Sequence, residues 1–261
     1  ITPGRLADII LVEDWHDMKP DIVIFEGNVV AQNGELVKEC KVEDYPDWLK
    51  HTVILKNPVT PESFEVPSKR MEGTTKIHVI EMIPRQIINN HIIKDVSVKN
   101  GMIQVDLEQD ILKLAVVERY GKNGNIGIGF VQGFELKKGA LAYSMSHDHH
   151  NIVVVGTNDE DMALAVNEVV RLNGGLSVAC DGKILNSMEL PIGGLMSEKP
   201  AEEVMAQLDI LNEDAKKLGC NMDAPFMSLS FISLPTVPEL GLTDKGLVDV
   251  LAHQLIELEV E

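Results

Sequence analysis

A change of period constrains this fold more than any other sequence feature. Between residues 77 and 156 the apolar residues fall into short runs, at 77–83, 112–119, 126–130, 140–146 and 152–156, with a further stretch at 92–106 broken by Lys99-Asn100-Gly101. Runs of this length bounded by Gly, Pro and Asn read as β-strands, and Asn-Gly is a strong hairpin signal. At Asn158 the spacing becomes helical: Met162, Ala165, Val166, Val169 and Val170 share one face. Asn158 supplies a cap, Asp159, Glu160 and Asp161 suit the first turn, and Gly174-Gly175 ends the helix. A strand at 176–179 follows, so residues 152–180 form a strand-helix-strand unit. A second helix is predicted over 197–218, with Val204, Leu208, Leu211, Ala215 and Leu218 on one face and Gly219 as its stop. A third is predicted over 243–257. These elements predict an α+β fold: a mixed sheet with helices packed on one face.

Ahead of this module, residues 1–40 read as three or four strands. Pro3-Gly4 makes a turn, 7–12 and 22–25 are apolar runs, and Gln32-Asn33-Gly34-Glu35 carries another Asn-Gly hairpin. On periodicity alone this is a small β-hairpin unit of no particular kind. The wording Pro3-Gly4-x-x-Ala7-Asp8-Ile9, followed by a strand and a Val-x-x-Gly pattern, resembles the segment that closes amidohydrolase enzymes. There, strands after a metal-dependent barrel complete a β-sandwich. The resemblance implies a barrel before residue 1. Residues 41–76 contain Pro46, Pro58, Pro61 and Pro67, which break both periodicities. The expected organisation is sandwich strands at 1–45, a connector at 46–76, and an α/β module at 77–261.

Charge and cysteine usage narrow the function classes. The net charge is −18, from 41 acidic and 23 basic residues, which disfavours nucleic acid and anionic membranes as partners. No apolar run approaches the roughly 20 residues of a membrane span. Cys40, Cys180 and Cys220 are odd in number and widely spaced, with no Cys-x-x-Cys pair, so a reducing cytoplasm is the expected home. No Gly-x-Ser-x-Gly elbow surrounds Ser144, Ser146 or Ser230. Eleven methionines read as core filler.

The richest chemical segment is Ser144-Met145-Ser146-His147-Asp148-His149-His150-Asn151, at a strand junction. On extended backbone His147 and His149 would face one way, Asp148 and His150 the other. Three readings stand at this point: a metal or ligand site, with His147 and His150 as candidate metal ligands, a structural junction, or a His-rich loop with no metal role. In the second, His147 or His150 donates to a backbone carbonyl and Asn151 satisfies the turn. Glu189 lies beside Leu190–Ser197, where Gly193-Gly194 either exposes N–H groups to an anion ahead of a helix or simply makes a turn needing positive φ. The glycines at 121, 124, 127 and 129 read as a tight turn and a close-packed strand, since they fit no nucleotide-loop spacing. Glu118-Arg119 reads as a surface or inter-domain pair.

Several longer motifs occur in order: Gly124-Asn125-Ile126-Gly127 to Gly133, Lys138-Gly139-Ala140, His147-Asp148-x-His150-Asn151, and Leu190-Pro191-Ile192-Gly193-Gly194-Leu195-Met196-Ser197. Asp223-x-Pro225-Phe226-Met227-x-Leu229-Ser230-Phe231, Leu234-Pro235 and Pro238-Glu239-Leu240 follow. Together they resemble the C-terminal domain of prokaryotic adenine deaminases across nearly the whole chain. His149 departs from the family pattern, where a small residue is usual, which counts against a His147/His149 metal pair. The resemblance implies hydrolysis of adenine to hypoxanthine and ammonia in purine salvage, with manganese or iron activating water in a barrel whose residues are not found in this sequence. It makes adenine, the chain's own N-terminal barrel and further copies of the chain the expected partners. His147, Asp148, His150, Asn151 and Glu189 are the candidate substrate-binding or auxiliary residues. The alternative is a self-contained metal- or ligand-binding module centred on residues 147–151.

Overall fold

The computed structural model describes residues 2–37, 44–237 and 239–260. The chain divides into two compact units, Ile1–Asp44 and Tyr45–Glu261. Cys40 and Pro238 lie outside the described residues.

The first unit is an antiparallel sheet of four strands in chain order, β1 (Ile9–Val12), β2 (Pro20–Phe25), β3 (Asn28–Gln32) and β4 (Glu35–Leu36). Asn33 and Gly34 both take positive φ, 55° and 82°, as the tight turn between β3 and β4 requires. None of residues 2–37 is buried.

In the second unit, residues 45–72 contain two short 3₁₀ turns, Asp47–Lys50 and Pro61–Phe64, and bury Val53, Val59, Phe64 and Val66. Then come β5 (Gly73–Met82), β6 (Asn89–Lys99), β7 (Met102–Ile103), β8 (Ile111–Val117), β9 (Ile126–Gln132), β10 (Ala140–Tyr143), β11 (Ile152–Gly156), α1 (Asp159–Arg171), β12 (Gly175–Cys180), β13 (Lys183–Glu189), α2 (Ala201–Lys217), α3 (Pro225–Ile232), β14 (Leu240–Thr243), β15 (Gly246–Asp249) and β16 (Gln254–Ile256). Among the described residues nine strands form one mixed sheet in the order β13-β12-β10-β11-β8-β9-β5-β6-β7. Its pairings are antiparallel except β5 with β9. The strand-helix-strand unit is split, because β10 sits between β11 and β12 and is antiparallel to both.

Helices cover both faces, not one. Leu112, Leu114, Val116, Leu141, Tyr143, Val153 and Val155 face a cluster containing Leu211, Ala215 and Leu218 at α2 and Phe226, Leu229 and Ile232 of α3. The alternate residues, Ala115, Val117, Ala140, Ala142, Ile152 and Val154, face Met162, Ala165, Val166 and Val169 of α1. A strand covered on both sides has no polar face, which is why β8 and β11 are nearly continuous apolar runs. Fully burying one such side chain contributes about 1.5–3 kcal/mol. Small residues let α1 lie close: a Cβ at Gly156 would fall 2.4 Å from Met162 Cγ.

Three further differences have local causes. The α2 helix begins at Ala201, because Pro200 occupies its N-cap position and disfavours helical backbone at Lys199. The predicted third helix is instead the antiparallel sheet β14-β15-β16. Its turn at Gly246 (φ 118°) reverses the chain, and Leu240, Leu242 and Leu247 join the α2/α3-side core. Only part of the methionine content fills the core: Met162 and Met188 are buried, whereas Met196, Met205 and Met227 are exposed around a cavity of about 570 Å³ beside α2 and α3.

Candidate functional site

The loop from β10 to β11 carries the histidines, and it is a turn rather than extended chain: His150 takes φ 52° and its N–H donates to Ser146 O at 2.8 Å. Three neighbouring segments hold it. Arg119 donates through Nε to His150 O, through Nη2 to Gly193 O at 3.0 Å, and through Nη1 to Thr52 Oγ1 at 3.4 Å. Tyr120 Oη donates to His149 O at 2.7 Å. From the α3 side, Ser230 O accepts the His147 N–H at 3.0 Å. Ser144 Oγ donates to Gly194 O at 2.6 Å, tying the start of the loop to the Gly193-Gly194 turn.

Glu118 and Arg119 are buried, at 4% and 1% exposure, and they act separately rather than as a surface pair. Glu118 organises the β8–β9 loop: its carboxylate accepts the N–H groups of Tyr120 (2.6 Å), Lys122 (3.2 Å), Asn123 (3.3 Å) and Gly124 (3.1 Å). Burial pushes this carboxyl up, and the N–H groups of Gly124, Tyr120, Lys122 and Asn123 together outweigh it, leaving it below its ordinary value. For Arg119 burial lowers the pKa, and the guanidinium stacks against Tyr120 at 5.2 Å from the ring.

The three histidines have different jobs. His149 is the structural one: Asn151 N–H donates to its Nδ1 at 3.0 Å, which places its proton on Nε2, 3.3 Å from Ser233 O. Burial lowers the His149 pKa and so favours this neutral form. His147 is half exposed and stacks on Phe231, centroids 5.1 Å apart. His150 lies 6.4 Å from the His147 ring, and burial, with Arg119 and His147, lowers its pKa. Asp148 points outward, 87% exposed, 3.8 Å from His147 Nδ1. Asn151 is buried, its Oδ1 accepting Arg119 N–H at 3.4 Å and its carbonyl accepting Ser146 Oγ at 2.8 Å. Glu189, the last residue of β13, pairs with Lys199 at 3.0 Å and makes no hydrogen bond to this loop among the described residues. Gly193 N–H donates to Leu49 O at 2.7 Å, and the segment closes on itself between Ile192 and Met196 with no helix directly behind it, so the anion-site reading of this turn fails.

Around the loop His150 Nδ1, Ser230 Oγ and Ser233 Oγ are buried polar atoms with no hydrogen-bond partner among the described residues. Buried polar atoms are nearly always paired, so unpaired ones at one place mark a site that can take a hydrogen-bonding guest. Phe231 also lines a cavity of about 190 Å³ with Asn89, Met227 and Ile232. The same residues do not fit a manganese or iron centre. Both nitrogens of His149 are engaged, Asp148 faces outward, and among the described residues no three His, Cys, Asp or Glu side chains form a metal-holding group. Arg119, Tyr120, Phe231, Ser230 and Ser233 escaped the sequence reading as parts of the site. Density of polar residues flagged the His loop, whereas these five lie up to 84 positions from His149 and meet it only through the fold.

Fold and loop define a class: a two-faced α+β sheet domain with a histidine-rich strand junction. Residues 86–254 match the adenine deaminase C-terminal domain model, and the chain belongs to that family. It is 54% identical over its full 261 residues to an adenine deaminase of Desulforamulus reducens, covering 44% of that protein. Adenine deaminases of Moorella thermoacetica and Dehalococcoides mccartyi are each 42% identical over 99% of the chain, which covers 43% and 44% of them. The chain thus spans less than half the length of these relatives. No helix among the described residues is long and apolar enough to cross a membrane.

Proposed function

We propose that this chain serves the hydrolytic deamination of adenine to hypoxanthine and ammonia, presenting His147, Asp148 and His150 to the purine. In this reading manganese or iron belongs to an amidohydrolase barrel on residues outside this chain, and no step passes through a metal held here. The observation that carries the proposal is the cluster of unpaired buried polar atoms at the His loop of a chain in this family. A neutral imidazole both donates and accepts, and a purine offers ring-nitrogen acceptors and an exocyclic amine donor. Burial and Arg119 favour neutral His150 at pH 7. The His147–Phe231 stack gives a flat apolar surface suited to an aromatic base. The four-stranded sheet, with none of its described residues buried, suits strands that complete a sandwich begun elsewhere.

The test is adenine kinetics of a deaminase carrying this domain, wild type against His150→Ala. The expected result is a loss in kcat/KM of roughly tenfold or more, the equivalent of one good hydrogen bond. Unchanged kinetics with unchanged metal content would remove the loop from the reaction. Absence of adenine turnover in the wild type would overturn the functional reading itself.

A further inference from the structure

A second histidine cluster lies away from the His loop. His78 on β5 and His91 on β6 occupy diagonal positions on one face of the sheet, since Ile80 pairs with His91 and His78 with Ile93. Their Nδ1 and Nε2 atoms stand 2.6 Å apart, with ring centroids at 4.7 Å and planes inclined by 53°. Two carboxylates of the C-terminal segment belong to the same region: Glu239, just ahead of β14, whose Oε2 accepts the His91 N–H at 2.8 Å, and Asp249, which ends β15 opposite Leu240 of β14 and accepts Ala252 N–H at 2.9 Å. We propose that His78 and His91 form a binding site for a borderline divalent transition-metal ion such as Zn²⁺ or Cu²⁺, with Asp249 as the third donor.

The frame around the pair is fixed. Buried Asn89 donates to Leu240 O at 3.0 Å and accepts the N–H groups of Glu239 and Leu240, each at 3.1 Å, so β14 is tied to β6 beside the imidazoles. His78 N–H donates to Leu258 O at 3.0 Å. In the neutral pair one of the two facing nitrogens carries a proton; for a metal to bind there, that proton moves to the other nitrogen of the same ring, so that both imidazoles ligate in the neutral form. Two nitrogens bound at about 2.1 Å to a tetrahedral ion stand about 3.4 Å apart. Side-chain rotation of under about 1 Å therefore converts the contact into a pair of ligands. Imidazole suits zinc, copper and nickel. Burial and His91 both lower the His78 pKa, favouring the neutral, ligating form, while the Asp249 charge acts on His78 in the opposite sense. Among the described residues no three donors already form a metal-holding group, so the carboxylate has to swing in. The net charge of −18 favours a cation anywhere on this surface, which makes site-specific variants essential.

The experiment is a calorimetric titration of the metal-stripped 261-residue chain with Zn²⁺, paired with electron paramagnetic resonance of its Cu²⁺ complex. The site predicts one bound ion, nitrogen hyperfine structure from two imidazoles, and affinity lowered roughly tenfold or more in His78→Gln and in His91→Gln. Asp249→Asn should weaken binding with the nitrogen signature intact. Added metal should raise the melting temperature of the wild type and leave that of His91→Gln unmoved. Absence of Zn²⁺ binding in the wild type overturns the proposal, as does affinity indifferent to both histidine substitutions. A loss that instead follows His147→Ala and His150→Ala would place the ion at the other loop and equally overturn it. Should one variant fail to fold, the other variant and the wild-type copper spectrum decide.

Discussion

Replacing Glu118 by Gln is the sharpest single test of how the His loop is held. The carboxylate caps the β8–β9 loop from below, one oxygen receiving Tyr120 N–H and the other receiving Lys122, Asn123 and Gly124. Gln keeps the shape but offers one acceptor oxygen and an NH₂ group, so at least one set of N–H groups meets a donor. A buried N–H left unpaired costs about 1–3 kcal/mol, and bonds to a charged acceptor are the stronger kind. With two N–H groups stranded and incomplete additivity, the expected destabilisation is about 2–4 kcal/mol. For a domain of this size that lowers the melting temperature by roughly 5–15 °C. Urea denaturation at neutral pH measures it. The pH dependence adds a second signature. Because the folded-state pKa of Glu118 is lowered, its contribution is present above its unfolded value of about 4.5 and is lost as pH falls through the folded value. The Gln variant therefore loses stability at neutral pH and converges on the wild type in acid. A destabilisation under about 0.5 kcal/mol, or one that does not shrink on acidification, would refute the reasoning.

Two other substitutions test neighbouring supports. At Gly194 (φ 72°) a Cβ would lie 2.2 Å from Arg119 Nη1, so Gly194→Ala should cost about 2 kcal/mol or more in urea denaturation and displace the guanidinium that holds His150 O. His149 gives the stability a pH dependence that a histidine with equal folded and unfolded pKa does not. Its folded pKa lies below 6.5 because of burial, so the unfolded chain binds more protons as pH falls from about 6.5 toward the folded value, and stability falls across that window. His149→Gln should flatten this slope by up to about 1.4 kcal/mol per pH unit, read from denaturation midpoints at several pH values.

Much of the central sheet was legible because two-sided burial and turn residues leave marks in one dimension. β11 and α1 stand where apolar runs, Asn158 and Gly174 place them. The sheet of β14, β15 and β16 was not, since Leu247, Leu251 and Leu255 sit four residues apart, a spacing that a helix also uses, and only the turn at Gly246 separates the two. The short α3 helix hid for another reason: Pro225–Ile232 is apolar nearly all round, so it has no periodicity to detect. Strand β13, with Leu185 exposed and Met188 buried, is an edge strand whose alternation is broken where its register shifts beside Val178. At the candidate site the polar cluster was visible and its partition was not. Which imidazole is structural depends on Ser233 and Asn151 reaching His149, a tertiary arrangement that residue spacing does not encode.

The edge of β5 nearest the C-terminal segment has a kinetic consequence. Ile77 bridges Glu259, Val260 N–H donates to Lys76 O, and the Glu259 carboxylate accepts Ser68 Oγ across 191 residues of chain. Closing so long a loop is entropically costly and is repaid only once the intervening sheet exists. The seam should therefore form after the rest of the nine-stranded sheet and open before it, making residues 254–260 the place where native-state hydrogen exchange begins within that sheet.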